Sequence, residues 1–199
     1  MIGHLNYLGA EKVSLYIGNI LATKYGIQSR EDKSYDLSRE LYEHKIENIN
    51  LANTTDIYQY LDMINNDNYS VFIFAPTRFS AYINEEIMTR LFNLGFTTEL
   101  RGIPDGTHYC AVKDSSSITE KLLGDNISFS GTVRGGLTTY SFNIDIFTGY
   151  QTYSMIVDGT QCGNQNDGLN IIIYDNDLKN IVDKVNFNTN DAELTATRY

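Results

Sequence analysis

Asp167-Gly168-Leu169-Asn170-Ile171-Ile172-Ile173-Tyr174-Asp175-Asn176-Asp177 is the stretch whose reading decides the architecture of this chain. Residues 169–174 are an apolar run rich in β-branched side chains, set between the turn-prone residues 164–168 and the Asp175-Asn176-Asp177 cluster. A run this short, closed at both ends by turn formers, predicts a strand. Residues 181–187 follow, with Val182, Val185 and Phe187 at the apolar positions. A second strand therefore returns beside the first as a hairpin.

Working upstream, the apolar period is two from residue 126. Ile127, Phe129 and Val133 face one way and Ser128, Ser130 and Thr132 the other, and Tyr140, Phe142, Ile144 and Ile146 repeat the alternation. Gly135-Gly136 and Asp158-Gly159 supply residues that tolerate the positive φ of tight hairpin turns. Residues 155–157 and 160–162 flank the second of these turns, so this half reads as antiparallel β.

The preceding segment reads differently. Residues 71–75 are continuously apolar, as in a strand covered on both faces, and Pro76 ends it. Asn84 is placed to cap a helix with Glu85 and Glu86 in its first turn, Ile87, Leu91 and Leu94 on one face, and Gly95 at its close. Residues 109–112 then return as a strand, and the crossover is long enough for a parallel pair. An earlier helix is expected over 53–65, capped by Thr54 or Thr55, with Asp56 at its positive end and Ile57, Leu61 and Ile64 on one face. Before it, residues 11–18 read as a strand, 19–25 as a helix start, 28–34 as a loop and 37–44 as a short helix. Residues 192–199 read as a tail or the start of a further element. The class expected is α+β, a mixed β-sheet or sandwich-like core with two or three packed helices.

Composition sets the bounds on function. With 199 residues, 42% hydrophobic and 20% charged, the chain can bury a core and is not of the disordered class. Its formal charge of −10 opposes phosphate backbones, so neither nucleic acid nor an anionic membrane is an expected partner, a local basic patch aside. No segment reads as a signal peptide or membrane span, so a soluble chain, or an internal piece of something larger, is expected without membrane insertion. Its compartment is not legible. Cys110 and Cys162 read as buried small hydrophobes, with a disulfide between them as the alternative. The sequons at Asn53, Asn68 and Asn126 are what an Asn- and Thr-rich chain gives by chance.

Chemical motifs are sparse. His4, His44 and His108 stand apart without ligand spacing, so no metal site is expected. Asp175-Asn176-Asp177 opens like a calcium loop, but Lys179, Asn180 and Asn186 occupy later positions that require ligands or a Gly. It reads as a turn. The Gly135-Gly136 pair lacks the Gly-Lys-Ser/Thr of a phosphate loop, and Gly18 is a lone glycine. No nucleophile elbow appears, neither Cys has an adjacent base, and helix polarity explains Glu85-Glu86. No catalytic residue and no cofactor is expected.

The segments 167–175, Val182-Asp183 and Phe187-Asn188-Thr189 resemble the leading half of the interleukin-like EMT inducer (ILEI) domain, the FAM3 or PANDER-like GG domain. Residues 69–75, 84–95 and 107–113 are similar to its trailing half: a buried strand, a Leu-Gly helix and a closing strand. The halves stand in reversed order. That implies either one circularly permuted domain or a piece of a tandem array, with residues 1–52 unassigned, 53–124 as the helix half and 125–199 as the Gly-Leu-Asn half. In a sugar-binding member of the family, the stem domain of a protein O-mannose N-acetylglucosaminyltransferase, the ligand is held by an Arg before the Gly, an Asp after the buried strand and an Arg before the final strand. The matching positions here are Asp167, Thr77 and about Asp105, all departures from that pattern, with Arg78 and Arg101 as neighbouring substitutes.

The resemblance implies a non-catalytic binding module for a glycan or a protein partner, accessory to a surface-polysaccharide or glycosyltransferase system. The alternatives are a stand-alone enzyme acting on a sugar or nucleotide sugar, and a structural spacer. If the ligand is a neutral glycan, affinity is expected from aromatic stacking and short hydrogen-bond networks rather than net charge, because a surface at −10 offers little to an anionic ligand, and binding is then expected to vary weakly with salt.

Overall fold

A computed structural model describes residues 7–27, 36–124, 127–147, 150–163 and 166–199. The loop expected at 28–34, His4 and Asn126 lie outside the described residues. The chain divides into two compact units, Met1–Asn50 and Leu51–Tyr199.

The first unit is helical. Helix α1 spans Tyr7–Tyr25, where a strand had been expected over 11–18. The reason is period: Val13, Tyr16, Ile17, Ile20 and Leu21 recur at helical spacing, and the helix runs on through Gly18-Asn19. Gly26 follows with φ +64, and the Ile27 amide donates to the Leu21 carbonyl at 3.1 Å, satisfying one of the orphan carbonyls of the helix end. Helix α2, Asp36–Asn53, is longer than the helix expected at 37–44 because no Gly or Pro interrupts it. No described helix is long and apolar enough to cross a membrane.

The second unit is α+β, as the sequence predicts. Helix α3, Ile57–Met63, is capped by Asp56, whose Oδ1 accepts from the Gln59 amide at 2.8 Å; Thr54 instead donates to the Met63 sulfur. Helix α4, Glu85–Asn93, is capped by Asn84, with Glu85 and Glu86 in its first turn, Ile87, Met88 and Leu91 buried, and Gly95 at φ +99 beyond its end. The described strands are β1 Tyr69–Ala75, β2 His108–Lys113, β3 Ile118–Leu123, β4 Ile127–Val133, β5 Thr138–Phe147, β6 Tyr150–Val157, β7 Thr160–Gln161, β8 Leu169–Asp175, β9 Asn180–Phe187 and β10 Ala196–Arg198.

They form a six-stranded sheet, β10-β9-β8-β1-β2-β3, and a four-stranded sheet, β4-β5-β6-β7. The expected hairpin is β8–β9, and β8 lies directly beside β1, Val71 opposite Ile173. The two family-like segments thus share one sheet. The parallel pair expected for β1 and β2 is antiparallel, Ala75 opposite Tyr109, and every pairing among the described strands is antiparallel. A crossover long enough for a parallel pair does not require one. Here α4 and the loop after it return the chain to the end of the sheet that it left at Ala75, so β2 runs back beside β1.

Strand alternation then divides the core in two. Val71, Ile73, Ala75, Ile171, Ile173, Val185 and Phe187 face α3 and α4. Phe72, Phe74, Cys110, Val112, Ile172 and Tyr174 face Phe129, Val133, Tyr140, Phe142, Ile144, Met155 and Val157 of the smaller sheet. Cys110 and Cys162 are free buried thiols in that intersheet core, so the disulfide alternative falls. Burial pushes the Cys110 thiol up to about 12 and raises that of Cys162.

Candidate functional site

Three of the sequence-derived site residues meet at one end of the larger sheet. Thr77 Oγ1 donates to the Asn166 carbonyl at 3.2 Å, Arg78 Nη2 donates to Asp167 Oδ2 at 2.7 Å, and the Gly168 amide donates to the Arg78 carbonyl at 2.8 Å. Thr189 Oγ1, fully buried, donates to the Phe79 carbonyl, and the Tyr82 amide to the Thr189 carbonyl. Behind this rim Asn186 Nδ2 reaches both the Asp167 carbonyl and Asn170 Oδ1, and Asn170 Nδ2 reaches the Phe74 carbonyl. Gly168 permits the closure. Its φ is +102, and a Cβ there would strike the Phe187 carbonyl and stand 2.7 Å from both Asn188 Cα and Thr189 N.

The other two residues lie apart in bonding. Arg101 forks onto Glu99 through Nε and Nη2, each at 2.8 Å, and that hydrogen bond holds the Glu99 carboxyl down at about 2. Asp105 is exposed in a turn with Gly106. Thr77, Arg78, Asp167 and Arg101 therefore spend donors and acceptors on the fold itself.

At the opposite end of β8, roughly 20 Å away at the usual rise per residue, the geometry is different. An open cleft of about 420 Å³ is lined by Asp158, Thr160, Tyr174, Lys179, Asn180, Ile181 and Lys184. It lies between the β8–β9 hairpin of the larger sheet and the β6–β7 turn of the smaller one. Local chemistry shapes each wall. Asp175, fully buried, accepts from the amides of Asp177 and Leu178 at 2.9 Å each, and the Lys179 amide donates to the Asp175 carbonyl, which sets Lys179 at φ +56. This turn is what the sequence predicts for the calcium-like triplet.

Across the cleft, Asp158-Gly159 turns with φ of 49 and 74, and Asp158 Oδ2 accepts from Tyr174 Oη at 3.4 Å. A third turn closes on the same end. Arg134, at φ 56, donates its amide to Asp114 Oδ2 at 2.9 Å and holds its guanidinium 5.9 Å from the centre of the Tyr174 ring. Three of the four described non-glycine residues with positive φ thus surround Tyr174. Left-handed backbone is costly for Arg and Lys, by about 1–2 kcal/mol each. Sequence reading found all three turns as turns. Their convergence on Tyr174 depends on sheet packing, which no local pattern carries.

The other strongly bonded carboxylates have structural partners. Asp183 accepts from Tyr60 Oη at 2.9 Å and from Arg198 Nε at 3.0 Å, while Arg198 Nη2 also reaches the carbonyls of Leu51 and Thr54. Burial, then the Asp183 charge, raises the Tyr60 phenol. Burial would raise the Asp114 carboxyl, but amide and hydroxyl donors from Arg134, Ser116 and Ser117 together hold it below the usual range. Glu120 balances in the same way: burial raises it, and Tyr109, Thr97 and Thr98 outweigh that by hydrogen bonding. Among the described residues no three His, Cys, Asp or Glu side chains gather as a metal site would require.

Comparison of the chain with family models, with curated proteins and with solved structures found no match.

Proposed function

We propose that Leu51–Tyr199 is a non-catalytic ILEI/FAM3-like binding module, its two halves joined in permuted order, and that its ligand is a glycan seated in the cleft beside Tyr174. The observation that carries this reading is the cleft itself: a hydroxyl, a carboxamide, a carboxylate and two ammonium groups from Thr160, Asn180, Asp158, Lys179 and Lys184 stand beside the apolar edge of Ile181 and Tyr174. Convergent donors and acceptors next to apolar surface suit a polyhydroxylated ligand, and the volume lies within the range of about 300–1,000 Å³ typical of small-molecule sites. Binding is favoured over glycoside chemistry because the lining holds one carboxylate, Asp158, where hydrolysis commonly uses a pair. The placement of β1 beside β8 supports the permuted arrangement.

The test is a calorimetric titration of the protein with a panel of neutral and anionic saccharides, repeated on a Thr160→Val, Asn180→Ala double variant and on Arg78→Ala and Arg101→Ala. Binding should be lost in the double variant, which removes cleft polar groups, and kept in the two arginine variants. Binding that survives the double variant but fails in Arg78→Ala would move the site to the Thr77–Asp167 rim. No binding across the panel would overturn the glycan reading and leave a protein partner or a spacer.

A further inference from the structure

The chain is strongly acidic, yet the cleft end of the second unit gathers cations. Elsewhere in this unit arginines are matched: Arg78 with Asp167, Arg90 with Asp62, Arg101 with Glu99 and Arg198 with Asp183, at 2.7–3.1 Å. Arg134, beside Tyr174, is not, and although Lys113 and Lys121 elsewhere in the unit also lack a carboxylate, Lys113 reaches the Asn66 carbonyl and Lys121 lies over the Phe129 ring. Among the described residues, Arg134, Lys179 and Lys184 have no carboxylate oxygen within 4.0 Å. Asp158, the acid in the lining, faces Tyr174 Oη.

Nor are these cations loosely attached. Lys179 issues from a turn pinned by the buried Asp175 carboxylate, and Arg134 from a turn whose amide is fixed on Asp114. Lys184 is partly buried on β9 opposite Ile172, with its ammonium 5.8 Å from the centre of the Tyr199 ring. Two of the three emerge from left-handed backbone, a conformation that Gly or Asn would adopt at lower cost. These cations stand near Asp158, Asp175 and Asp114, but those carboxylates are engaged by hydroxyls and backbone amides, so the cleft end keeps cationic donors without an ion-pair partner in a protein of charge −10.

We infer that this cleft selects an anionic saccharide, with its acid group received by Lys179 and Lys184 and its hydroxyls by Thr160 and Asn180, while Arg134 beside Tyr174 adds to the attraction. The inference rests on the cleft being the ligand site of the binding module, and it stands against the case of a neutral glycan. An acid group, carboxylate or phosphate, would accept the charge-assisted hydrogen bonds that these side chains leave unmade, whereas a neutral sugar would leave their charges unmatched. Asp158 then acts against the acid, which gives the proposal a signature of its own.

The experiment uses glucose, glucuronate and glucose 6-phosphate, three probes of one ring that differ in charge and acid type. Each is titrated into the full chain and followed by backbone amide shifts. The expected result is that at least one of the two acids binds about tenfold or more tighter than glucose, the step expected for one charge-assisted hydrogen bond. Shifts should be centred on Lys179 and Asn180, and affinity should fall as salt rises from about 0.05 to about 0.5 M. The preferred acid tells a uronic acid from a sugar phosphate as the natural group.

Lys179→Gln with Lys184→Gln should reduce binding of the acid about tenfold or more and reduce that of glucose by a smaller factor, so that the preference for the acid collapses. Asp158→Asn, which suits a left-handed turn residue, should strengthen it. Equal binding of glucose and both acids, indifferent to salt and to the lysine variants, would sink the anionic inference and leave the glycan reading standing. Failure of all three probes to bind, with a larger neutral glycan bound in the cleft, would do the same. Failure of every saccharide would remove both. Unchanged thermal midpoints of the variants keep a folding defect from posing as a binding one.

Discussion

Gly168 shows how one residue can fix a sheet end. Its amide bonds to Arg78, its φ of +102 lies in the region that favours glycine, and its missing side chain leaves room for the backbone of residues 187–189. Gly168→Ala faces the left-handed penalty and a backbone clash together, and is expected to cost about 2–5 kcal/mol. Urea denaturation checks this, and a loss below about 0.5 kcal/mol would mean that the rim relaxes around a methyl group. The adjacent Arg78–Asp167 pair, with side chains 57% and 25% exposed, should matter far less, since exposed ion pairs contribute about 0–1 kcal/mol. A Gly before an apolar run is legible in sequence as a turn residue. That its Cβ position is filled by backbone from beyond the next strand is not, because that contact is made only once β8 and β9 have paired.

At the scale of elements, legibility follows how local the deciding interaction is. Helix α4 was readable because Asn84, Glu85, Glu86 and Gly95 act within one turn of its ends. Its buried face makes Leu91→Ala cost about 2–5 kcal/mol, as emptying a packed core position does. Chemical denaturation measures it, and a change under about 1 kcal/mol would mean that the layer of α3 and α4 carries little of the stability. The β8–β9 hairpin was readable for the same local reason. The direction of β2 was not, because it depends on where α4 and the 94–107 loop deliver the chain. Strand β3 escaped notice because its residues are exposed or half-exposed at the sheet edge and carry no alternation. Helix α1 was not legible because Gly18-Asn19 marks a break in the local pattern, whereas the helix runs through it with Val13, Tyr16, Ile17, Ile20 and Leu21 at helical spacing.

Across the whole second unit, the two segments that resemble one family's halves form one sheet, and the ends of the unit meet. Arg198, one residue from the C-terminus of the chain, donates to the carbonyls of Leu51 and Thr54 at 3.0 and 2.7 Å while holding the buried Asp183. Ends this close can be joined without strain, and domains whose termini adjoin tolerate relocation of their chain breaks. A permutant of this unit that links Tyr199 to Leu51 by a short Gly-Ser segment and opens between Gly124 and Ile127 places the Gly-Leu-Asn half first. It should unfold in one cooperative transition and keep the register of Val71 opposite Ile173, read from cross-strand proton contacts. Arg198→Ala in the same background should cost about 3–5 kcal/mol, the usual loss when a buried charge is left without its partner, and should leave that register intact. Two separate transitions in the permutant, or loss of the β1–β8 contacts, would mean that the halves are held together by their present chain order rather than by one shared core.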